Sequence, residues 1–265
     1  MARVSFKKYE GLGNDFLLFE LPGGGRISDP VVRRLCDRHF GVGGDGVLLV
    51  GAARSAGASA SMTILNADGS RPEMCGNGIR CVAVYLARKE GRATAELTID
   101  TDAGPLTCKV EKDDVEVEMG RLVDTGPVEV TVAGRVHRFT RVSAGNPHAI
   151  TFEPYTPNEI DIVGPAVARA AIFGEGTNVE FARLEDDGAI ELVVWERGVG
   201  RTLACGTGAS ATVGAACLAH KRSYSEYVEV RLPGGPLQIR VRRDTLAATM
   251  RGPAHLVFEG EVTLP

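Results

Sequence analysis

The sequence predicts an α/β (α+β) fold made of two pseudo-symmetric, duplicated domains, each a strand-rich, barrel-like sheet wrapped around a central helix, with the active site in the cleft between them. Three observations carry this expectation. The segment Met74-Cys75-Gly76-Asn77-Gly78 returns 130 positions later as Ala204-Cys205-Gly206-Thr207-Gly208. Each copy runs directly into an apolar stretch of helical period, Ile79, Val82, Ala83 and Leu86 in the first and Ala209, Thr212, Val213 and Ala216 in the second. Around these two segments lie many short strand-like runs punctuated by Gly, Pro and Asp.

The echo extends beyond the cysteines. Gly13-Asn14 matches Gly145-Asn146, Phe40-Gly41-x-Gly43-x-Asp45 matches Phe173-Gly174-x-Gly176-x-Asn178, and Gly104-Pro105-Leu106 matches Gly235-Pro236-Leu237. Ordered anchors at a nearly constant offset indicate an internal duplication, with a period too long for a solenoid and suited to two domains. The expected division is 1–120, joined by the C-terminal segment 253–265, and 121–252.

In chain order, strands are expected at Gly46–Val50, Ser61–Leu65, Glu96–Asp100, Leu106–Glu111, Val115–Met119, Val128–Val132, Glu191–Trp195, Tyr227–Leu232, Leu237–Arg242 and Leu256–Val262, where apolar residues alternate or run together. Helices are expected at Asp29–Arg38, at Asn77–Glu90 before the stop Gly91, at Ile160–Ala171, and at Gly208–Lys221 with His220, Lys221 and Arg222 near its end. The second and fourth are apolar on nearly every side, which predicts that the strands of each half enclose them.

Composition bounds the function. With 44% hydrophobic residues in 265, the chain can bury a sizeable core. A net charge of −4 with mixed signs gives no basic footprint for nucleic acid, and Arg240, Arg242 and Arg243 read as one exposed strand face and turn. The run Ala209–Ala219 is too short to span a bilayer and the first residues carry no signal-like apolar core, so no membrane association and a cytoplasmic location are expected. None of the six cysteines forms a Cys-x-x-Cys pair, so no metal site is expected and structural disulfides are disfavoured. Cys36, Cys81, Cys108 and Cys217 read as small buried residues.

Cys75 and Cys205 differ because each opens a helix. A thiol there faces unpaired backbone N–H groups and the positive end of the helix dipole, which favours thiolate and also seats a carboxylate. Two such thiols suit a proton acceptor and a proton donor on opposite faces of an amino-acid α-carbon. Asn66 and Glu196 each lie nine residues before a cysteine, at the ends of matching apolar strands. Asn14, Asn146 and Asn178 each follow a Gly-containing turn and, with Asn66, can recognise a zwitterion. Arg197 can clamp a second carboxylate, and His148 can position a catalytic cysteine.

These residues resemble one family over essentially the whole chain, the diaminopimelate epimerases. The resemblance rests on GLGNDF (11–16), NADGSRPEMCGNGIRC (66–81), GNPH (145–148), GTNVEF (176–181) and WERGVGRTLACGTG (195–208). It implies a cofactor-independent isomerase, acting in the cytoplasm as a homodimer, that interconverts LL- and meso-2,6-diaminopimelate for lysine and peptidoglycan synthesis. It implies that Cys75 and Cys205 are the acid/base pair, supported by His148 and Glu196. Gly76-Asn77 and Gly206-Thr207 would bind the reacting carboxylate, and Asn14, Asn66, Asn146, Asn178, Glu196 and Arg197 the rest of the substrate. One position departs: many members have Gln after the Asp of the GxGxD turn, where this chain has Gly46. The alternative is a proline or hydroxyproline racemase, whose paired-cysteine chemistry is the same but which typically shows His where Asn77 stands. A thiol redox or metal-binding protein, and a non-catalytic amino-acid binding module, are the readings from other classes.

Overall fold

The computed structural model describes residues 2–20 and 26–264. These divide into two compact units, Met1–Val117 with Gly252–Pro265, and Glu118–Arg251.

In the first unit the strands are β1 (Ala2–Gly11), β2 (Asn14–Glu20), β3 (Gly46–Gly51), β4 (Ala60–Asn66), β5 (Thr94–Thr101), β6 (Gly104–Glu111) and β7 (Asp114–Arg121), with helix α1 (Asp29–Cys36) between β2 and β3 and α2 (Gly76–Lys89) between β4 and β5. The second unit holds β8 (Val123–Val132), β9 (Arg135–Ser143), β10 (Pro147–Thr151), α3 (Pro157–Ala168), β11 (Asn178–Leu184), β12 (Ile190–Glu196), β13 (Gly200–Thr202), α4 (Gly206–Leu218), β14 (Tyr227–Leu232), β15 (Gly235–Val241) and β16 (Ala247–Pro253). The last strand, β17 (His255–Leu264), belongs to the first unit.

The internal orders match step for step. In the first unit β17, β1 and β2 pair antiparallel, β2/β3 is parallel, β3/β4 antiparallel, β4/β5 parallel, and β5/β6/β7 antiparallel. In the second, β8, β9 and β10 pair antiparallel, β10/β11 is parallel, β11/β12 antiparallel, β12/β14 parallel, and β14/β15/β16 antiparallel. Each parallel step needs a long crossover. The four helices occupy those four crossovers: α1 and α3 the first of each unit, α2 and α4 the second. Among the described residues, β13 is the strand without a counterpart.

The central helices are buried for the reason their composition gives. Every residue of α2 from Gly76 to Ala87 is buried against the strands of its unit. In α4 only Thr207 and Leu218 escape full burial, and the helix packs on β9, β10, β11 and β15. Gly214 lets α4 approach Leu122, since a Cβ there would stand 2.5 Å from Leu122 Cδ1. α1 and α3 are amphipathic covers over smaller cores, Phe6, Leu17, Phe19, Val32 and Leu35 under the first and Val128, Phe139, Ile160, Val163 and Phe181 under the third.

All four predicted helices form, with shifted ends. α2 and α4 begin at the glycine after the cysteine, because the cysteine itself is the N-cap. α3 begins three residues earlier than expected, at Pro157, because Thr156 and Glu159 form a reciprocal capping box and proline suits the first turn. Seven strands beyond those expected are present, β1, β2, β9, β10, β11, β13 and β16. Several are charged on their outer face or carry Gly and Pro, which masks the alternation.

Candidate active site

Each cysteine caps its helix in the same conformation. Cys75 has φ −138° and ψ 117°, Cys205 has φ −134° and ψ 108°, and each sulfur accepts the backbone N–H three residues on at 3.4 Å. The glycine donating that N–H is required in both. A Cβ on Gly78 would meet Leu48 Cδ2 at 2.9 Å, and one on Gly208 would meet Glu180 Oε1 at 2.9 Å.

Around Cys75 the polar groups form a chain of amides and charges. Asn77, 3% exposed, donates to Asn14 Oδ1 at 3.1 Å, and Asn14 donates to Asp45 Oδ2 at 2.8 Å. Arg38 bridges Asp45 and Asp15, and Lys8 reaches Asp15 at 2.7 Å. Burial alone would raise the Asp15 carboxyl, but hydrogen bonds from Arg38 and Lys8 hold it below its ordinary value. Arg80 is fully buried and donates to Gly76 O, Asn77 Oδ1 and Pro253 O. Arg80 therefore orients the Asn77 amide, and Asn77 in turn orients Asn14. Asn66 stands apart from this chain: it ends β4 opposite Gly46, and its side chain donates to Ser70 Oγ at 2.9 Å.

Gly46 has a local reason to lack a side chain. A Cβ there would stand 2.6 Å from the Leu65 carbonyl oxygen across the β3/β4 ladder.

The Cys205 side is denser and more acidic. The thiol contacts Thr207 Oγ1 at 3.5 Å and lies within electrostatic reach of the Glu196 carboxylate. Glu196 Oε1 accepts from Thr202 at 2.7 Å, from the extra strand β13. Asn146 Nδ2 reaches Thr207 Oγ1 at 3.5 Å, and Asn146 Oδ1 lies 2.9 Å from His148 Nε2. The other ring nitrogen of His148 is 2.6 Å from Glu180 Oε1, both side chains being fully buried. Asn178 Oδ1 accepts the Arg197 backbone N–H at 2.9 Å, and the exposed Arg197 guanidinium donates to the Glu175 carbonyl at 3.3 Å.

Burial, then the nearby Glu196 and Glu180 carboxylates, pushes the Cys205 thiol well above its ordinary value, outweighing the hydrogen bonds from Thr207 and the Gly208 N–H. At Cys205 this runs against the expectation that a helix start favours thiolate. The dipole is present, but removal from water costs the thiolate more. Burial likewise raises Glu196, against the lowering effect of Thr202 and Cys205.

The residues expected from the sequence are thus gathered in two sets, Asn14, Cys75, Gly76 and Asn77 in the first unit and Asn146, His148, Asn178, Glu196, Arg197, Cys205, Gly206 and Thr207 in the second. His148 makes no direct bond to a thiol, since Glu180 and Asn146 take both its ring nitrogens. Sequence reasoning missed Glu180, Arg80, Asp45 and Thr202. The signal for Glu180 and Arg80 was a charged residue inside an otherwise apolar run, which demands a buried partner. Among the described residues, no cluster of His, Cys, Asp and Glu could hold a metal ion, and no helix is long and apolar enough to cross a membrane.

Known proteins match this chain along nearly all its length. A family model described as diaminopimelate epimerase covers residues 6–129 and 140–257. The diaminopimelate epimerase of Synechococcus elongatus is 41% identical over 98% of this chain and 99% of its own. The chloroplastic diaminopimelate epimerase of Oryza sativa subsp. japonica is 38% identical over 97% of this chain and 79% of its own. Among solved structures, a hydroxyproline epimerase from Agrobacterium vitis superposes with a TM-score of 0.77 at 16% identity, covering 99% of this chain and 93% of that one. A predicted epimerase from Pseudomonas aeruginosa gives 0.76 at 14% identity, covering 99% and 100%. At those identities the structures speak for the fold, while the family match and the relatives near 40% identity settle the kinship: the chain belongs to the diaminopimelate epimerase family.

Proposed function

We propose that this chain interconverts LL- and meso-2,6-diaminopimelate by a two-base thiolate/thiol mechanism, with Cys75 and Cys205 on opposite faces of one α-carbon. The observation that carries this reading is the pair of cysteine-capped helix starts, the same in backbone conformation and placed at the same step of two matching strand orders. One thiolate removes the α-proton while the opposite thiol delivers one, and the two exchange roles in the reverse direction. The reacting carboxylate sits on the helix-start amides at Gly76-Asn77 and Gly206-Thr207, where N–H groups and dipoles stabilise the enediolate-like charge it gains. The thiols supply the proton transfers, so the reading calls for no pyridoxal phosphate and no metal.

Asn14, Asn66, Asn146 and Asn178 bind the amino and carboxylate groups, and the exposed Arg197 takes the distal carboxylate as a bidentate partner. Glu196 and, through Asn146 and Thr207, His148 support Cys205. We place the enzyme in lysine and peptidoglycan precursor synthesis, as a cytoplasmic homodimer, to be checked by cell fractionation and sedimentation.

The test is exchange of solvent deuterium into LL-diaminopimelate. Wild type exchanges and epimerises. Cys75→Ala and Cys205→Ala each lose epimerisation, by about 10²-fold or more, the scale of one general acid or base. Full epimerisation by either variant, or brisk wild-type racemisation of proline with none of diaminopimelate, refutes the reading.

A further inference from the structure

We propose that Glu180 is a positioning residue: acting through His148, it fixes which end of the Asn146 amide faces Thr207 at the head of α4, and a single proton held by the Glu180–His148 pair is what fixes it. The inference rests on the proposed function only in what Asn146 then presents to a ligand.

The two units show that the fold does not need this pair. In the parallel β2/β3 ladder Phe16 lies opposite Gly46, and in the parallel β10/β11 ladder His148 lies opposite Asn178. Two residues further along, Leu48 and Glu180 occupy the same step. Each packs against the glycine three residues after a cysteine, at the same 2.9 Å from a would-be Cβ. The first unit thus fills with Phe16 and Leu48 the places that the second gives to His148 and Glu180, and all four are buried. A buried polar pair contributes no more stability than well-packed apolar residues, and commonly less. Its presence in one unit alone calls for a role beyond packing.

The hydrogen bonds define that role. Asn146 Oδ1 can only accept, so His148 Nε2 must carry a hydrogen to donate to it. His148 Nδ1, 2.6 Å from Glu180 Oε1, then shares one more proton with that carboxylate. Either the carboxylic acid donates to a bare Nδ1, or an imidazolium donates from Nδ1 to the carboxylate. In both cases Nε2–H remains, and Asn146 turns its NH₂ toward Thr207 Oγ1. Burial raises the Glu180 carboxyl, and the charge and hydrogen bond of His148 lower it. The titratable groups facing the pair from neighbouring elements are Glu196 on β12 and Cys205 at the head of α4.

Loss of the shared proton leaves Glu180 ionised beside a neutral imidazole. The one ring hydrogen then moves to Nδ1, where the carboxylate accepts it, and Nε2 becomes an acceptor. Two acceptors would face each other, so the Asn146 amide rotates and offers its oxygen, no longer its NH₂, at the helix start. A donor for a bound carboxylate is thereby replaced by an acceptor.

The experiment reads the His148 ring nitrogens by long-range ¹H–¹⁵N correlation in ¹⁵N-labelled, substrate-free protein from about pH 6 to about pH 10, the signals being assigned with His148→Gln. In wild type Nε2 is protonated at neutral pH and loses its proton to Nδ1 at alkaline pH. Glu180→Gln, neutral and of the same shape, holds one tautomer throughout, and Glu180→Leu restores the pairing of the first unit with the same loss of pH response. With substrate, wild-type KM rises at alkaline pH by at least about threefold while kcat changes less, and this limb is absent in both variants. A bare Nε2 at neutral pH in wild type overturns the proposal even if neither variant folds. So does a variant whose His148 titration or KM profile matches wild type. Because the tautomer is read without substrate, a protein that switches as expected yet fails to epimerise diaminopimelate counts against the proposed function and leaves the role of Glu180 standing.

Discussion

Replacing Arg80 by Met isolates what a fully buried charge contributes beside a catalytic helix start. The methionine keeps most of the apolar stem and removes the guanidinium, whose bonds run to Gly76 O at 3.2 Å, Asn77 Oδ1 at 3.1 Å and Pro253 O at 3.2 Å. Gly76 O retains the intrahelical bond from the residue 80 N–H, so Asn77 Oδ1 and Pro253 O each lose one hydrogen bond. Loss of a hydrogen bond to a buried acceptor costs about 1–3 kcal/mol. Burial also lowers the Arg80 pKa, so the wild type bears a desolvation penalty that the variant escapes, and this offsets part of the loss. The net expectation is a destabilisation of about 2–4 kcal/mol. At roughly 2–4 °C per kcal/mol for a chain of this size, Tm falls by about 5–15 °C in calorimetry. Activity falls further than stability explains, because the Asn77 amide, without its hydrogen bond from Arg80, holds Asn14 less firmly. An Arg80→Met protein that melts within about 2 °C of wild type and turns over normally refutes both the energetics and the orienting role.

Gly214→Ala gains helix propensity of about 1 kcal/mol but drives a methyl into Leu122, so chemical denaturation shows a net loss that the double variant Gly214→Ala/Leu122→Ala largely restores. Thr156→Ala removes the N-cap of α3 and lowers stability by about 1 kcal/mol, measured by urea unfolding. Backbone and side-chain bonds from Thr156 hold the Glu159 carboxyl below its ordinary 4.5. Its stabilising contribution is therefore complete above that pH and is lost as pH falls through the depressed folded value, an acid-side loss that Thr156→Ala reduces but does not abolish, since the residue 156 N–H still donates to Glu159. Arg197→Met raises KM for diaminopimelate strongly with a smaller change in kcat, and Arg197→Lys is also impaired, since a point charge cannot reproduce the planar fork; unchanged kinetics in both would remove Arg197 from the substrate.

The duplication, the two cysteine caps and the enclosed helices were legible because glycine at a helix start and an all-round apolar helix leave local signatures. Asn14, Asn146, Asn178, Glu196 and Arg197 could be named for the same reason, as polar residues fixed to Gly turns or strand ends. β9, read from Arg135-Val136-His137-Arg138, hides behind its charges, and β13 is too short to show any period. Glu180 acts through His148, 32 positions away, and Arg80 ties the local Asn77 to Pro253, 173 positions away, and no local pattern encodes such distances. The acidity of the Cys205 surroundings was hidden too, since Glu196 and Glu180 meet that thiol only when the β11/β12 hairpin lies along α4.

β1 and β17 pair along nearly their whole length, from Ala2 opposite Leu264 to Glu10 opposite His255, with the Phe6 ring lying over Gly260. On the ribosome this makes the two units mature in reverse of their order in the chain. The second unit is contiguous and has every one of its strands once residue 253 has emerged, whereas β1, synthesised first, waits with one edge unpaired until the last residues follow. That open edge is the segment at greatest risk of pairing with another chain during synthesis. The same adjacency means that a short turn joining Leu264 to Ala2 would tie the late strand to the early one. A circular permutant so closed, and opened in the exposed Thr131–Arg135 turn, would carry the first unit as one contiguous stretch and leave β8 of the second as the last strand made.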